Sequence, residues 1–201
     1  MTIDLLFAFI TYVFATSITP GPNNTMLIVS GVNFGFKRTV PHLFGITTGL
    51  SSMLFAMGSG IGALFATVPV LQSSMRLLST LYLIFLAWKI ASSGAPSDAE
   101  AVARPMTFFQ AAAFQWVNPK AWIMTIGAVT AYLPAQHTVS AIFPLVAISF
   151  LVGLPCICTW TVAGSKLRKF LNQQRYLRIF NITMALVLLA SLYPIFLDTV
   201  G

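Results

Sequence analysis

Gln115-Trp116-Val117-Asn118-Pro119-Lys120-Ala121-Trp122 interrupts an apolar run that extends from about Phe108 to Leu133. Asn118 is a good helix N-cap, and Pro119 is tolerated at the first helical position, where its missing N–H would have no partner anyway. The pair reads as a helix that stops and restarts. Lys120 lies about 24 Å along a helix from Arg104 at 1.5 Å per residue, well inside a bilayer. A lysine there costs roughly 2.5 kcal/mol or more, so its charge calls for compensation. No Asp or Glu falls within an apolar run. The carboxylate of a bound substrate would serve, with Trp116 and Trp122 as candidate walls.

The same grammar occurs once more. Ser17-Ile18-Thr19-Pro20-Gly21-Pro22-Asn23-Asn24 interrupts the run from about Leu5 to Gly31. Asp4 to Lys37 and Arg104 to His137 are intervals of equal length, with Pro20 sixteen residues into the first and Pro119 fifteen into the second. Thr19 precedes Pro20 as Asn118 precedes Pro119, and Pro22 also suits a first helical turn. A restarted helix presents free N–H groups and the positive end of its dipole. Such groups cannot face hydrocarbon and need protein, water or a ligand. If the two spans run antiparallel, the restarts face each other across the midplane and suit an anion such as an amino-acid carboxylate. Two blander readings stand beside this one. The prolines could kink packed helices, and Lys120 could snorkel to the cytoplasmic interface.

Working outward, the chain of 201 residues is 57% hydrophobic and 7% charged, against about 25% charged in soluble domains. Its mean hydropathy is +0.86. Lipid is therefore the expected solvent. At ~20 residues per crossing, six spans emerge: Leu5 to Gly31, Val40 to Val68, Leu71 to Ile90, Phe108 to Leu133, Ala141 to Ala163, and Ile179 to Leu197. The expected fold is an all-α membrane protein, a single transmembrane domain over residues 1–201. Three spans precede the polar loop 92–104 and three follow it. An odd number of spans per half makes the halves inverted repeats, about 1–91 and 105–201, with helices one and four broken near mid-membrane.

The net charge of +7 comes in clusters between apolar runs, which orients a membrane protein and does not suggest nucleic acid. Lys37, Arg38, Lys89, Arg104 and the basic group from Lys166 to Arg178 mark the cytoplasmic side; Arg76 is the dissenter. Both termini are expected outside, and Asp4 replaces the basic start of a signal peptide. Gly45 and Gly49, like Gly58 and Gly62, form G-x-x-x-G and predict close helix contact. Thr47, Thr48, Ser51, Ser52 and Thr161 are candidates for lining a path, and His42 and His137 read as solvated span ends. Cys156 and Cys158 lack the companions of a zinc site or redox motif. They read as packing residues, with a membrane redox or metal-ion transport protein as the alternative function.

The two broken stretches resemble the T-P-G-P and N-P-K signatures of the lysine-exporter and homoserine/threonine-exporter superfamily. Leu86-Ala87-Trp88-Lys89, closing the third span, is similar as well. The double Asn and the later motif look most like the branch exporting cysteine and O-acetylserine. The resemblance covers the whole chain and implies an amino-acid exporter of the bacterial cytoplasmic membrane, without enzymatic activity or cofactor. The substrate-binding candidates are Thr19, Pro20, Gly21, Pro22, Asn23, Asn24, Trp116, Asn118, Pro119 and Lys120, with no metal ligand among them. Without a carboxylate to pair a second cation, the site favours a small neutral or sulfur-containing substrate over lysine or arginine. The expected transport is proton-driven alternating access, with Lys120 as the sole titratable group placed for a relay; an uncoupled carrier that follows the substrate gradient is the alternative. The partners are the substrate and the bilayer; a homo-oligomer is compatible with the sequence.

Overall fold

Two prolines decide where the first helix ends. Each forces the residue before it out of the α region, so Thr19 and Gly21 are both extended, with ψ of 145° and −179°. The chain can resume a helix only after the second, and it does so with Pro22 in first position. Thr19 therefore closes the first helix, its N–H donating to Ala15, and Gly21 stands as N-cap of the next. The sequence reading put that restart at Pro20. At the second break Asn118 is the N-cap as expected, its side chain accepting from the Lys120 N–H at 3.2 Å, and Pro119 opens the helix.

The computed structural model describes residues 1–62, 67–93, 104–134, 136–171 and 173–193. The regular structure of the described residues is all helical, without strands. The helices are α1 (Ile3–Ile18), α2 (Pro22–Phe34), α3 (Phe36–Ala56, prolonged by a π turn at Met57–Ile61), α4 (Pro69–Ala91), α5 (Phe108–Gln115), α6 (Pro119–Tyr132), α7 (Ile142–Leu167) and α8 (Gln174–Ala190). A short 3-10 turn at Val139–Ala141 leads into α7. Between α2 and α3 the chain turns on one residue, Gly35, whose φ of 81° suits glycine.

Three helical stretches are long and apolar enough to cross a membrane: Phe36–Ile61, Pro69–Ala91 and Val139–Leu167. The pair α1 and α2 makes a fourth if counted as one span, bent by 55° at the break. The other two expected spans do not meet that test among the described residues. The fourth is divided into pieces of 8 and 14 residues by its break. The sixth is helical for 17 residues, from Gln174, and its predicted end near Leu197 lies outside the described residues. Most of the 92–104 loop lies outside them too. The outer surface carries large apolar side chains on nearly every helix, Phe7, Phe14, Leu77, Ile123 and Leu151 among them, as a lipid-facing surface does.

Helix packing follows the small residues. A Cβ on Gly164 would run into the backbone of Ile28, and one on Gly31 would lie 2.5 Å from the Thr161 carbonyl, so α2 and α7 touch backbone to backbone. Gly45 and Gly49 do the same for α3 against α5, meeting Phe108, Ala111 and Ala112. The first glycine pair of the sequence reading thus packs tightly. Gly58 rests on Ile142, whereas among the described residues Gly62 meets Met57 alone. In the wider pattern α1 and α2 pack on α7, α5 and α6 pack on α3, α3 packs on α7, and α4 packs on α8.

Candidate functional site

The broken end of α1 leaves carbonyl groups that no helical N–H can reach. In a lipid-embedded protein each needs a protein partner or water. Every one from Thr16 to Pro20 has a side-chain donor. The Thr19 hydroxyl donates to the Thr16 carbonyl at 3.0 Å. Asn24 Nδ2 donates to Ser17 at 2.9 Å and to Thr19 at 2.7 Å. Trp160 Nε1, from α7, donates to Ile18 at 3.3 Å. The remaining donor crosses from the other break: Lys120 Nζ lies 2.9 Å from the Thr19 carbonyl, 2.9 Å from its hydroxyl and 3.1 Å from the Pro20 carbonyl. A cation at a helix C-terminus also complements the dipole. Lys120 is half-buried and meets oxygens of the first break; it does not reach out along a surface.

A second link joins the breaks. Asn23 Nδ2 donates to Gln115 Oε1 at 2.8 Å, and Gln115 Nε2 donates back to Asn23 Oδ1 at 3.1 Å. Gln115 Nε2 also donates to the Ala111 carbonyl at 2.8 Å, and Asn118 Nδ2 approaches Gln115 Oε1 at 3.5 Å. Gln115 is fully buried and Asn118 is 1% exposed. Gln115 was not among the residues expected at the site. Its signal was available, since it is an amide in an apolar run, one helical turn before Asn118.

The two restarts differ in what they leave open. Around α6, Asn118 takes up the first amides: its side chain accepts from Lys120, and its carbonyl accepts from Ala121 at 3.0 Å and Trp122 at 3.3 Å. At α2, Gly21 has no side chain to cap with. The N–H groups of Asn23 and Asn24 have no partner among the described residues, and the first bonded amide is that of Thr25. The open, positively polarised amides expected at both breaks thus occur at one, because Asn118 caps the other.

A cleft of about 330 Å³ lies at this junction, lined by Gly21, Asn23, Asn24, Asn118, Lys120 and, beyond those expected, Ser17. Thr19 and Pro20 hold the lysine, while Pro22 and Pro119 set the helix starts. Trp116 is not in the lining. Its carbonyl accepts from Trp122 Nε1 at 2.8 Å, and the two rings meet edge-on beside Met53, Met57 and Ala121. The expected tryptophan wall is instead a packing cluster.

Next to the cleft is a larger cavity, about 510 Å³, sharing Thr16, Ser17, Leu50, Met124 and Ile157 with it. Tyr12, Thr47, Ser51, Thr125 and Ser149 are also in its lining, the hydroxyls of Tyr12, Thr47 and Thr125 donating to the carbonyls of Met124, Leu43 and Ala121. Of the expected path residues, Thr47 and Ser51 are there; Thr48 and Ser52 are exposed, and Thr161 is buried elsewhere. His42 overturns a further expectation. It is 1% exposed and not a solvated end, because it shares the buried face of α3 with Gly45 and Gly49.

Cys156 and Cys158 are free thiols two residues apart on α7, a spacing at which helical side chains do not face each other. Among the described residues no three His, Cys, Asp or Glu side chains gather as a metal site would need.

Comparison with known proteins decides the family. The sequence model of the LysE type translocators matches residues 14–191. The chain belongs to the LysE type translocator family. It is a membrane transporter and not an enzyme. Curated relatives include the cysteine/O-acetylserine efflux proteins of Escherichia coli strain K12 and Shigella flexneri. Each is 32% identical over 200 residues, covering 98% of this chain and all of the relative. No solved structure matches the chain significantly. Within the family both signature stretches of this chain fall at the junction of α1 with α2 and of α5 with α6.

Proposed function

We propose that this transporter exports a small neutral or sulfur-containing amino acid, or a close metabolite, from the cytoplasm. Cysteine and O-acetylserine are the first candidates and homoserine or threonine the next. The observation that carries the reading is the Lys120 ammonium, brought from one break to the carbonyl end of the other beside the open amides of Asn23 and Asn24. A substrate carboxylate fits between ammonium and amides. Carbonyl and amide oxygens of the same cleft suit the substrate's ammonium group, and the adjoining, largely apolar cavity suits a short side chain. No carboxylate lines either space, which disfavours a second cationic group.

We propose further that six spans form two inverted repeats in the bacterial cytoplasmic membrane. What supports this is the reciprocity of the packing. Exchanging the first half for the second turns the contact of α1 and α2 with α7 into that of α5 and α6 with α3. The α3–α7 and α4–α8 contacts map onto themselves. Both termini are then periplasmic, by the placement of Lys and Arg. An impermeant thiol reagent should fail to label Lys37→Cys from outside, in a Cys156→Ser, Cys158→Ser background; external labelling would reverse the topology.

Transport is proton-driven in this reading. Lys120 is the one ionisable side chain lining the central cleft, and it exchanges the Thr19 and Pro20 oxygens for the substrate carboxylate as the site alternates. Efflux from cells preloaded with a panel of amino acids tests the assignment. The expected result is export of cysteine or O-acetylserine, abolished by Lys120→Met with protein abundance within about twofold. Normal export by Lys120→Met would mean that the ammonium merely secures the end of α1. Proteoliposomes with an imposed pH gradient and no substrate gradient should accumulate substrate; a carrier that does not is a facilitator.

A further inference from the structure

The far end of α2 borders a second cleft, about 560 Å³, that shares no lining residue with the central one. From Asn23 to Asn33 the helix advances about 15 Å at 1.5 Å per residue, so the two spaces lie at opposite ends of α2. Met26, Val29, Leu86 and Ile90 form an apolar wall between α2 and α4. Residues 104–106, leading into α5, close another side.

Several polar groups at this cleft already have partners. Ser30 and Thr39 share a hydrogen bond of 2.8 Å. Asn33 Nδ2 donates to the Val29 carbonyl at 2.9 Å and to Asn181 Oδ1 at 3.1 Å. Three other groups have none among the described residues. Lys89 and Arg104 are exposed at the rim, with no carboxylate of the described residues to meet them: the sole described one is Asp4, which opens α1. His42 lines the cleft from α3, is 1% exposed, and has no partner at either ring nitrogen among the described residues. A neutral imidazole still carries one N–H donor, and buried donors are nearly always satisfied.

We propose that this second cleft binds a small oxyanion, the carboxylate of an amino acid or organic acid, between Lys89, Arg104 and the His42 imidazole. Two cations and a buried N–H donor, with no acidic group among the described lining residues, favour an anion over a cation or a neutral ligand. The proposal stands on this cleft alone. Under the export reading the cleft becomes a loading site, because Lys89 and Arg104 mark the cytoplasmic end and a zwitterionic substrate presents a carboxylate. The phosphate of an anionic lipid carries the same chemistry, and the test separates the two sources.

The chain has only two histidines, His42 and His137. Nitrogen-15 histidine labelling of the full chain in phosphatidylcholine nanodiscs therefore gives two imidazole systems, and His137→Gln assigns them. Sodium acetate or O-acetyl-L-serine should shift the His42 resonances saturably. Lys89→Gln with Arg104→Gln should raise the midpoint at least tenfold; both side chains are exposed, so the fold should persist. The shift should survive in Lys120→Met, which separates this site from the central cleft and its failure from failure of the export reading. A shift that appears only when phosphatidylglycerol enters the bilayer assigns the oxyanion site to lipid. Resonances unmoved by either source, or moved equally in the double variant, overturn the proposal.

Discussion

Lys120 Nζ is 2.9 Å from both the carbonyl and the hydroxyl oxygen of Thr19, a residue 101 positions earlier in the chain. The contact joins two helix breaks and satisfies the last carbonyls of α1. It also gives a lysine in an apolar region oxygen partners where no carboxylate is at hand. The same ammonium is thus both a structural cap and the one cation within reach of a ligand in the cleft.

Gly21→Val separates those two roles. A Cβ at Gly21 would lie 2.8 Å from Lys120 Cδ and 3.2 Å from Nζ. The atoms in the way belong to the end of a flexible side chain, so the lysine can move aside at little cost to the fold. Export should fall by at least tenfold with abundance within about twofold. Unchanged export would place the substrate away from Gly21.

Gln115→Leu should act on stability. It removes both partners of the Asn23 amide, and an unsatisfied buried polar group costs about 1–3 kcal/mol. The expected result is a lower melting temperature in detergent. Asn23→Leu combined with Gln115→Leu should recover part of the loss, since removing both partners is milder than removing one. A double variant no better than the sum of its parts would mean that the pair is not coupled.

Gly164→Leu tests the backbone contact of α2 with α7. Its Cβ would meet the backbone of Ile28 and not a side chain, so no rotamer change can relieve the clash. Overpacking of this kind typically costs 1–3 kcal/mol, occasionally more. Membrane abundance should drop severalfold. Gly62→Leu, whose nearest neighbour among the described residues is Met57 at 3.5 Å, should be far milder, and equal losses at both positions would argue against the close approach.

His137 carries a pH prediction. Its two ring nitrogens lie 2.7 Å from the Pro134 carbonyl and 2.8 Å from the Gly58 carbonyl. Both neighbours are acceptors, so only the imidazolium donates to both, and these backbone bonds raise its pKa above the usual 6.5. A raised folded-state value means that the stabilisation is fully present below 6.5 and is lost as pH climbs through the raised value. Thermal stability should therefore decline with pH from 6.5 upward, and His137→Gln should flatten that decline. An unchanged slope in the variant would remove His137 from the effect.

Much of this was readable along the chain because the relevant forces are local. Proline withholds an N–H and constrains its predecessor, so Thr19-Pro20-Gly21-Pro22 and Asn118-Pro119 had to break their helices. The scarcity of charge had to mean a lipid-facing surface. Even there, one detail escaped: two prolines two residues apart compete, and the later one sets the start of α2.

What escaped in the site depended on partners distant in the chain. Nothing near Lys120 foretold that its charge would meet the Thr19 and Pro20 oxygens, or that Gln115 would pair with Asn23. The tryptophans flanking Asn118-Pro119-Lys120 suggested a pocket wall, yet Met53 and Met57 of α3 drew Trp116 and Trp122 into packing. His42 seemed a polar end by its neighbours in sequence and is enclosed by other helices. Backbone conformation depends on residues a few positions apart and is written in the order of the chain. Burial and hydrogen-bond partnership depend on which helix faces arrive together, and the assembled bundle of α1 to α8 is what settles them.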